Sequence, residues 1–331
     1  MSDASPTAAP VLCLVEHGED GPLEASRRAL SFARSLASTS DSPLAAVLVG
    51  RVSAAIEEAL AAFGVARAFW VTTSQLDAYA PVAWARALVE LTGITEAHAV
   101  VAGGTDRGNE VMAHVGALTG LPMVANCFTA SRSNGAVKLS RQRWAGSLIE
   151  DSVLETSTAL LTVAFDGVAS EPAAAPAGLT SHEFHPTIDD ADLVVHVTEW
   201  MKRPGGVSLA DARVVVGGGR GVGSAEGFAA IVELAELLGG AVGVSRAVTS
   251  LGWRSHSEQV GQTGTRIAPD LYIASGISGA TQHLAGCQSA KVVLAINTDA
   301  DAPIITRADY AVIGDLTTIV PALVAAIRAR P

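Results

Sequence analysis

The sequence predicts an α/β protein of two domains. The first is an N-terminal parallel-sheet α/β domain, and the second is a C-terminal doubly wound domain, Rossmann-like but without the G-x-G-x-x-G fingerprint. Three observations predict this. Short, continuous apolar runs alternate with single amphipathic helices, which is how parallel strands covered on both faces read. The chain has 331 residues, enough for two domains at about 150 residues each. A Pro/Ala/Gly-rich stretch without a period, 166–180, interrupts the alternation midway.

In the first domain, 11–15 is an apolar strand ending in Glu16-His17-Gly18, and 23–36 follows with Leu23, Leu30, Ala33 and Leu36 near helical spacing. Strands at 44–49, 66–71 and 99–102 then alternate with helices at 54–63, 82–91 and 109–118. Gly103-Gly104-Thr105-Asp106 breaks the third of these strands before its helix. Less regular strands are expected around 136–139 and 159–163. The resulting division is a flexible N-terminus over 1–10, a first domain over 11–165, and a linker with connecting strands over 166–206. The second domain spans 207–331. Within the connecting region, 182–186 and 193–201 read as strands, and Arg203-Pro204-Gly205-Gly206 as a break.

In the second domain, strand 213–216 runs into Gly217-Gly218-Gly219-Arg220-Gly221-Val222-Gly223, and helix 224–238 follows with Ser224 as N-cap candidate. Strand 241–244 ends in Ser245-Arg246, and 253–265 is a polar loop. Strand 271–274 leads to Gly276-Ile277-Ser278-Gly279-Ala280, which opens a helix carrying Gln282 and His283. Strand 291–296 ends in Asn297, strand 311–313 ends in Gly314-Asp315, and 317–328 is a terminal helix.

Composition narrows the function. With 22 Lys+Arg against 33 Asp+Glu, a net charge of −11 and no basic block, duplex nucleic acid and anionic membranes are poor partners. Lysine is confined to Lys138, Lys202 and Lys291, so a cation that holds an anionic ligand is expected to be arginine. Cys13, Cys127 and Cys287 are far apart and read as small buried hydrophobes in a reducing compartment. No apolar stretch approaches 18 residues and the start resembles neither a secretory nor a transit signal, so a soluble, cytoplasmic protein is expected.

The polar clusters Gly217–Gly223, Ser245-Arg246, Gly276–His283 and Asn297/Asp315 each follow the carboxyl end of an expected strand, the ligand-binding edge of an open parallel sheet. Glycines directly before a helix suit close phosphate approach. By itself the glycine loop reads equally well as a tight turn, and Arg220 within it favours a diphosphate. His283 alone reads as a core histidine, but Gly276, Gly279 and Gly286 around it suggest close approach by a ligand. The Gln/Thr-rich segment 259–265 suits the edge of a planar heterocycle, or else is a solvated loop. There is no G-x-S-x-G, His182 and His185 lack further metal ligands, and Trp144, Trp200 and Trp253 read as packing residues.

These clusters, taken in order (Ser245-Arg246, QVGQTG at 259–264, PDLYIA at 269–274, GISGATQHLAG at 276–286, Ala295-Ile296-Asn297 and ADYAVIGD at 308–315), resemble the alpha subunit of electron transfer flavoprotein. The resemblance covers nearly all of 210–331, and more loosely 100–127 and 141–148. It implies a doubly wound FAD-binding domain at the C-terminus and a heterodimer with a beta subunit. Such a pair carries single electrons from flavin dehydrogenases of the acyl-CoA dehydrogenase type, in fatty acid β-oxidation, to a membrane quinone oxidoreductase. It has no substrate turnover of its own. Position by position, the resemblance implies FAD contacts at Arg220, Ser245, Arg246, Val260, Gly261, Gln262, Thr263, Ser278, Gly279, Ala280, Thr281, Gln282 and His283. Asn297, Asp315 and Leu316 would meet the adenosine end.

In that arrangement Arg220 and the 278–280 amides hold the pyrophosphate, and Thr263 or Ser245 hydrogen-bonds the ring edge at N5 or O4. His283 points to O2, and Arg246 stabilises negative charge on the ring. A unit charge at ~4 Å and an effective dielectric near 20 is worth roughly 4 kcal/mol. Thr265, Thr298 and Thr249-Ser250-Leu251 depart from the usual family residues, which bears on redox potential and docking of the beta subunit. Two other readings stand beside it: an electron-bifurcating relative that oxidises NADH with a second FAD in the beta subunit, and a nucleotide-binding regulatory module.

Overall fold

The computed structural model describes residues 9–50, 53–76, 78–146, 148–165, 167–198, 207–210 and 212–329. The chain forms two compact units, 1–201 and 202–331.

The first unit contains β1 (Val11–Leu14), α1 (Glu24–Ser38), β2 (Leu44–Val49), α2 (Ala54–Ala62), β3 (Arg67–Val71), α3 (Pro81–Thr95), β4 (Ala99–Gly103) and α4 (Asp106–Thr119). It continues with β5 (Met123–Ser133), β6 (Ala136–Arg143), β7 (Leu148–Glu155), β8 (Ala159–Val163) and β9 (Thr180–Phe184). The nine strands are ordered β7-β6-β5-β8-β4-β1-β2-β3-β9, parallel from β5 to β9 through β8, with an antiparallel ribbon of β5, β6 and β7 at one edge. Strands β1, β4 and β8 are buried along their whole length, as continuous apolar runs require between two helical layers. Side-chain caps fix the helix starts: Ser53 accepts from Ile56 N, and Thr105 accepts from Gly108 N.

The sequence did not announce β5 or β7. Strand β5 carries polar residues and a register shift between Cys127 and Thr129 where it passes from β8 to β6. Strand β7 lies at the sheet edge, with Leu148, Ile149 and Val153 exposed. The expected strand 182–186 forms two residues earlier as β9, in register with β3. Instead of the strand expected from 193, the chain forms a 3-10 turn at Asp190–Leu193, a bend at 194–195 and irregular backbone over 196–198. There the buried carboxylate of Asp192 accepts from the Arg86 guanidinium at 3.0 and 3.2 Å. The rest of that expected strand, Trp200 and the Arg203–Gly206 break lie outside the described residues. Segment 167–179 runs along this unit, with Glu171 N donating to Ser31 Oγ at 3.0 Å and Ala173 N to the Ala62 carbonyl at 2.8 Å. Trp144, expected to be a packing residue, is instead 78% exposed and lies outside the core. Cys13, Cys127 and Cys287 are all free thiols and buried.

The second unit contains β10 (Val214–Gly218), α5 (Ala229–Leu237), β11 (Ala241–Val244), α6 (Arg246–Ser250), β12 (Leu271–Ser275), α7 (Thr281–Cys287), β13 (Val292–Asn297), α8 (Pro303–Arg307), β14 (Tyr310–Ile313) and α9 (Leu316–Arg328). Its sheet, β11-β10-β12-β13-β14, is parallel throughout. Alternate residues of each strand feed two cores. Val215, Tyr272, Ala274 and Ala295 join Cys287 and Ile304 on one face, while Val216, Ile273 and Ile296 join Ile231, Leu234, Val320 and Val324 on the other. Helix α5 starts at Ala229 rather than at 224, because 3-10 turns at Arg220–Val222 and Glu226–Phe228 intervene. Ser224 does cap, but it caps that turn, accepting from Gly227 N at 3.2 Å. No helix among the described residues is long and apolar enough to cross a membrane.

Candidate functional site

The strand order of the second unit creates one place where a ligand is expected. From β10 the chain crosses to β11 on one side and then to β12 on the other, so the connections leave the carboxyl ends of β10 and β12 in opposite directions. The crevice at such a switch point is the natural ligand site of an open parallel sheet. The turn 219–223 follows β10, and the loop 276–280 follows β12.

These two loops are locked together by glycine. Gly219 N donates to the Ser275 carbonyl at 2.9 Å, and Gly221 N donates to the Gly276 carbonyl at 3.1 Å. A methyl group on Gly219 would overlap the Gly276 carbonyl, and one on Gly276 would meet Leu316 Cδ2 at 2.5 Å. The two glycines before them serve packing: Gly217 leaves room for the Tyr272 ring and Gly218 for Phe228. Likewise Gly279 (φ +82°) lies against the Ile304 backbone, and Gly286 lies against Gly261. The sequence suggested that Gly276, Gly279 and Gly286 admit a ligand. What approaches each of them closely is the protein's own chain, and this packing leaves a polar rim around the two loops.

That rim has unspent donors. Among the described residues, none accepts a hydrogen bond from the backbone N–H groups of Ser278, Gly279 or Ala280. Three consecutive unbonded amides after a parallel strand form a concave anion cradle. Arg220, on the turn packed against Gly276, is exposed, and its guanidinium makes no ion pair among the described residues. Helix α7 begins only at Thr281 and is seven residues long, so the cradle depends on these amides and Arg220 rather than on a long helix dipole.

Ser245 and Arg246 follow β11, and Ser245 N is tied to the Gly218 carbonyl at 3.2 Å. Arg246 is exposed, also without an ion pair among the described residues. The 260–263 segment is strung between β11 and α7: Val260 N donates to the Val244 carbonyl at 2.9 Å and Gln262 N to the Gln282 carbonyl at 2.8 Å. Gln262, Thr263, Thr281 and Gln282 are exposed, whereas Val260 and Gly261 are buried and contribute backbone.

The electron transfer flavoprotein domain matches residues 11–182, and the electron transfer flavoprotein FAD-binding domain matches residues 208–288. The chain is 35% identical over 327 residues to electron transfer flavoprotein subunit alpha of Mycobacterium tuberculosis (strain ATCC 25618 / H37Rv), covering 97% of this chain and 99% of that one. The chain belongs to the electron transfer flavoprotein alpha subunit family. It is also 33% identical over 287 residues to the Bacillus subtilis alpha subunit, covering 86% of this chain and 87% of that one. Similarity extends to Protein FixB of Bradyrhizobium diazoefficiens, at 34% over 323 residues, 96% of this chain and 87% of that one. The cofactor of this electron transfer flavoprotein alpha chain is therefore FAD, and the matched FAD-binding domain contains the switch-point loops.

The donor set fits FAD. An unbonded amide cradle and an arginine without an ion pair among the described residues suit a diphosphate, and exposed Gln and Thr side chains with a second such arginine suit a heterocycle with carbonyl and ring-nitrogen edges. Three other residues that the resemblance marks have side chains already engaged by protein. His283 is 6% exposed, and its Nε2 lies 2.8 Å from the Tyr272 hydroxyl. Burial pulls its pKa down to about 4, and the Val260 backbone opposes that shift without giving Nδ1 a hydrogen bond. Asn297 Nδ2 donates to the Ile277 carbonyl at 2.9 Å, fastening the 276–280 loop to β13. Asp315 caps α9, accepting from Thr317 Oγ1 and Thr317 N at 2.7 and 2.8 Å, which hold its carboxyl below the usual range. Leu316 is buried against Gly276. The structure also brings in Tyr272, Gln259 and Thr249: Gln259 was read only as part of the 259–265 segment, Thr249 only as a departure from the usual family residues, and none of the three as a site residue. The signal for Gln259 was its amide at the head of the QVGQTG run, on a segment that suited a heterocycle edge or else a solvated loop.

Proposed function

We propose that this chain works as the alpha subunit of a heterodimer with an electron transfer flavoprotein beta subunit. It carries single electrons between flavin dehydrogenases and a membrane quinone oxidoreductase, without turning over a substrate of its own. The observation that carries the reading is the switch-point rim: unbonded Ser278–Ala280 amides beside unpaired Arg220, inside a family FAD-binding domain. The beta partner is supported by the exposed apolar residues Trp144, Leu148, Ile149 and Val153 on the ribbon of the first unit, a patch that suits a protein surface.

FAD supplies the one-electron chemistry when bound. The chain's own residues bind and orient it. Arg220 and the 278–280 amides hold the diphosphate, and Thr281 and Gln282 extend that contact. Ser245, Gln262 and Thr263 line the ring edge, with Val260 and Gly261 providing backbone. Arg246 holds a positive charge beside the ring, worth roughly 4 kcal/mol to a negative charge at ~4 Å with an effective dielectric near 20. His283 and Tyr272 form a neutral floor beneath the 260–263 segment. Asn297, Asp315 and Leu316 shape the adenosine end. No side chain has to take or give a proton for this task.

Co-expression with the beta partner tests the reading. A yellow complex with one FAD per heterodimer, reduced by a flavin dehydrogenase and reoxidised by a quinone oxidoreductase, is the expected result. Two FAD per heterodimer with NADH oxidation would instead make the chain part of a bifurcating complex. A colourless complex that binds ATP would overturn the carrier reading.

A further inference from the structure

Gln259 is 2% exposed, yet its amide joins two hydroxyls on the ligand-binding edge. Thr249 Oγ1 lies 2.7 Å from Gln259 Oε1, and Gln259 Nε2 lies 3.0 Å from Thr263 Oγ1. The backbone of Gln259 is pinned at both ends: its N–H donates to the His256 carbonyl at 3.0 Å, and its carbonyl accepts from Thr265 N at 2.7 Å. With the backbone held, rotation of the terminal amide, a broad two-fold torsion, exchanges Oε1 and Nε2 without moving the chain.

Proton counting shows what that rotation does. Each threonine hydroxyl has one proton to give and can accept through its lone pairs. In the observed arrangement Thr249 donates to Oε1, and Nε2 donates to Thr263. Thr263, which is exposed, then keeps its own proton for a partner outside the protein. Turn the amide over and the chain of bonds reverses. Nε2 donates to Thr249, whose proton goes to the Arg246 carbonyl 3.0 Å away, while Thr263 donates to Oε1. Thr263 now presents only lone pairs. Both arrangements leave Oε1, Nε2 and the two threonine hydroxyls each with a hydrogen-bond partner, so the network has two states of opposite polarity at one point on the rim.

We propose that Gln259 is a positioning residue that sets whether Thr263 donates to or accepts from the flavin ring edge. The oxidised ring offers N5 as an acceptor, and reduction by two electrons and a proton places a hydrogen there. The observed arrangement serves the first form and the reversed one serves the second, so one threonine stays hydrogen-bonded throughout a redox cycle. This inference rests on the reading that the ring lies against Thr263.

The test uses the FAD-loaded heterodimer reconstituted with FAD labelled with nitrogen-15 at N5, reading the N5 chemical shift and the FAD dissociation constant. Thr263→Val should move the oxidised N5 resonance and weaken FAD about tenfold, as loss of one buried-side hydrogen bond does. Gln259→Met, of similar length but without hydrogen bonding, should move the resonance in the same direction. In the Thr263→Val background it should weaken FAD by less than about twofold further. Thr249→Val, on the rim and clear of the core, should reproduce the shift by releasing Oε1 to take the Thr263 proton. If Thr263→Val changes neither readout, the ring does not lie there and the site reading fails. If Thr263→Val acts but Gln259→Met and Thr249→Val leave N5 unmoved, or the losses simply multiply, the positioning role is overturned and the site reading survives.

Discussion

The hydroxyl of Tyr272 sits 2.8 Å from Nε2 of His283, both side chains are buried, and the missing side chain of Gly217 leaves room for the Tyr272 ring. A family motif residue expected at the flavin is thus part of the core under the 260–263 segment. Replacing Tyr272 with Phe strands the imidazole, whose Nδ1 already lacks a partner. Tyr272→Phe should cost about 1–3 kcal/mol, read as a lower urea midpoint at constant slope. An unchanged midpoint would show that the bond contributes nothing.

His283 also predicts a pH dependence. Its pKa is about 4 in the folded chain against 6.5 for an ordinary ring, with burial as the main cause. Between these values the unfolded chain binds a proton that the native one refuses. The stability this residue contributes is therefore complete above pH 6.5 and is lost as pH falls towards 4, at no more than about 1.4 kcal/mol per pH unit. His98 is shifted the same way, by burial and then by Arg132, so wild type must be compared with His283→Gln. The variant should show the flatter stability curve between those two pH values in urea titrations. Parallel curves would contradict the assignment.

The roles proposed for Arg220 and Arg246 are separable. Arg220→Ala should weaken FAD roughly ten- to hundredfold, the loss of a charge-assisted hydrogen bond to the diphosphate. Arg246→Ala should weaken it by less than about tenfold but make the first electron harder to add, because the charge beside the ring is gone. Titration of the apo-complex with FAD and spectroelectrochemistry on the loaded complex distinguish the two. Equal losses of affinity with unchanged potentials would count against the division.

Gly219 tests the coupling of the two switch-point loops. A methyl group there overlaps the Gly276 carbonyl, which is backbone and cannot rotate away. Gly219→Ala should destabilise the protein by about 1–3 kcal/mol and lower FAD occupancy together. A thermal scan and the flavin-to-protein absorbance ratio measure both, and full stability with normal occupancy would show the loops to be independent.

The βα rhythm was readable in the sequence because both sheets bury continuous apolar strands such as 99–103, 214–218 and 271–275. Strands β5 and β7 were not, since an edge ribbon with polar or alternating residues has no continuous apolar run to reveal it. The polar clusters at the carboxyl ends of strands could be located from their spacing alone. What the spacing left open was which groups are already spent. Asp315 is a helix cap, Asn297 a loop fastener and His283 a buried residue bonded to Tyr272, whereas Ser278–Ala280, Arg220 and Arg246 keep their donors free among the described residues. For Gln259 the run marked a candidate ring edge, but an amide in a Gln/Thr/Gly stretch gives no sign that the fold buries it between Thr249 and Thr263.

The most direct test of the account is a crystal structure of the FAD-loaded chain with its beta partner. The diphosphate should accept hydrogen bonds from the Ser278, Gly279 and Ala280 amides with Arg220 alongside, and the ring should lie between Arg246 and Thr263. FAD bound with those amides still unpaired and its diphosphate held by other residues would contradict it.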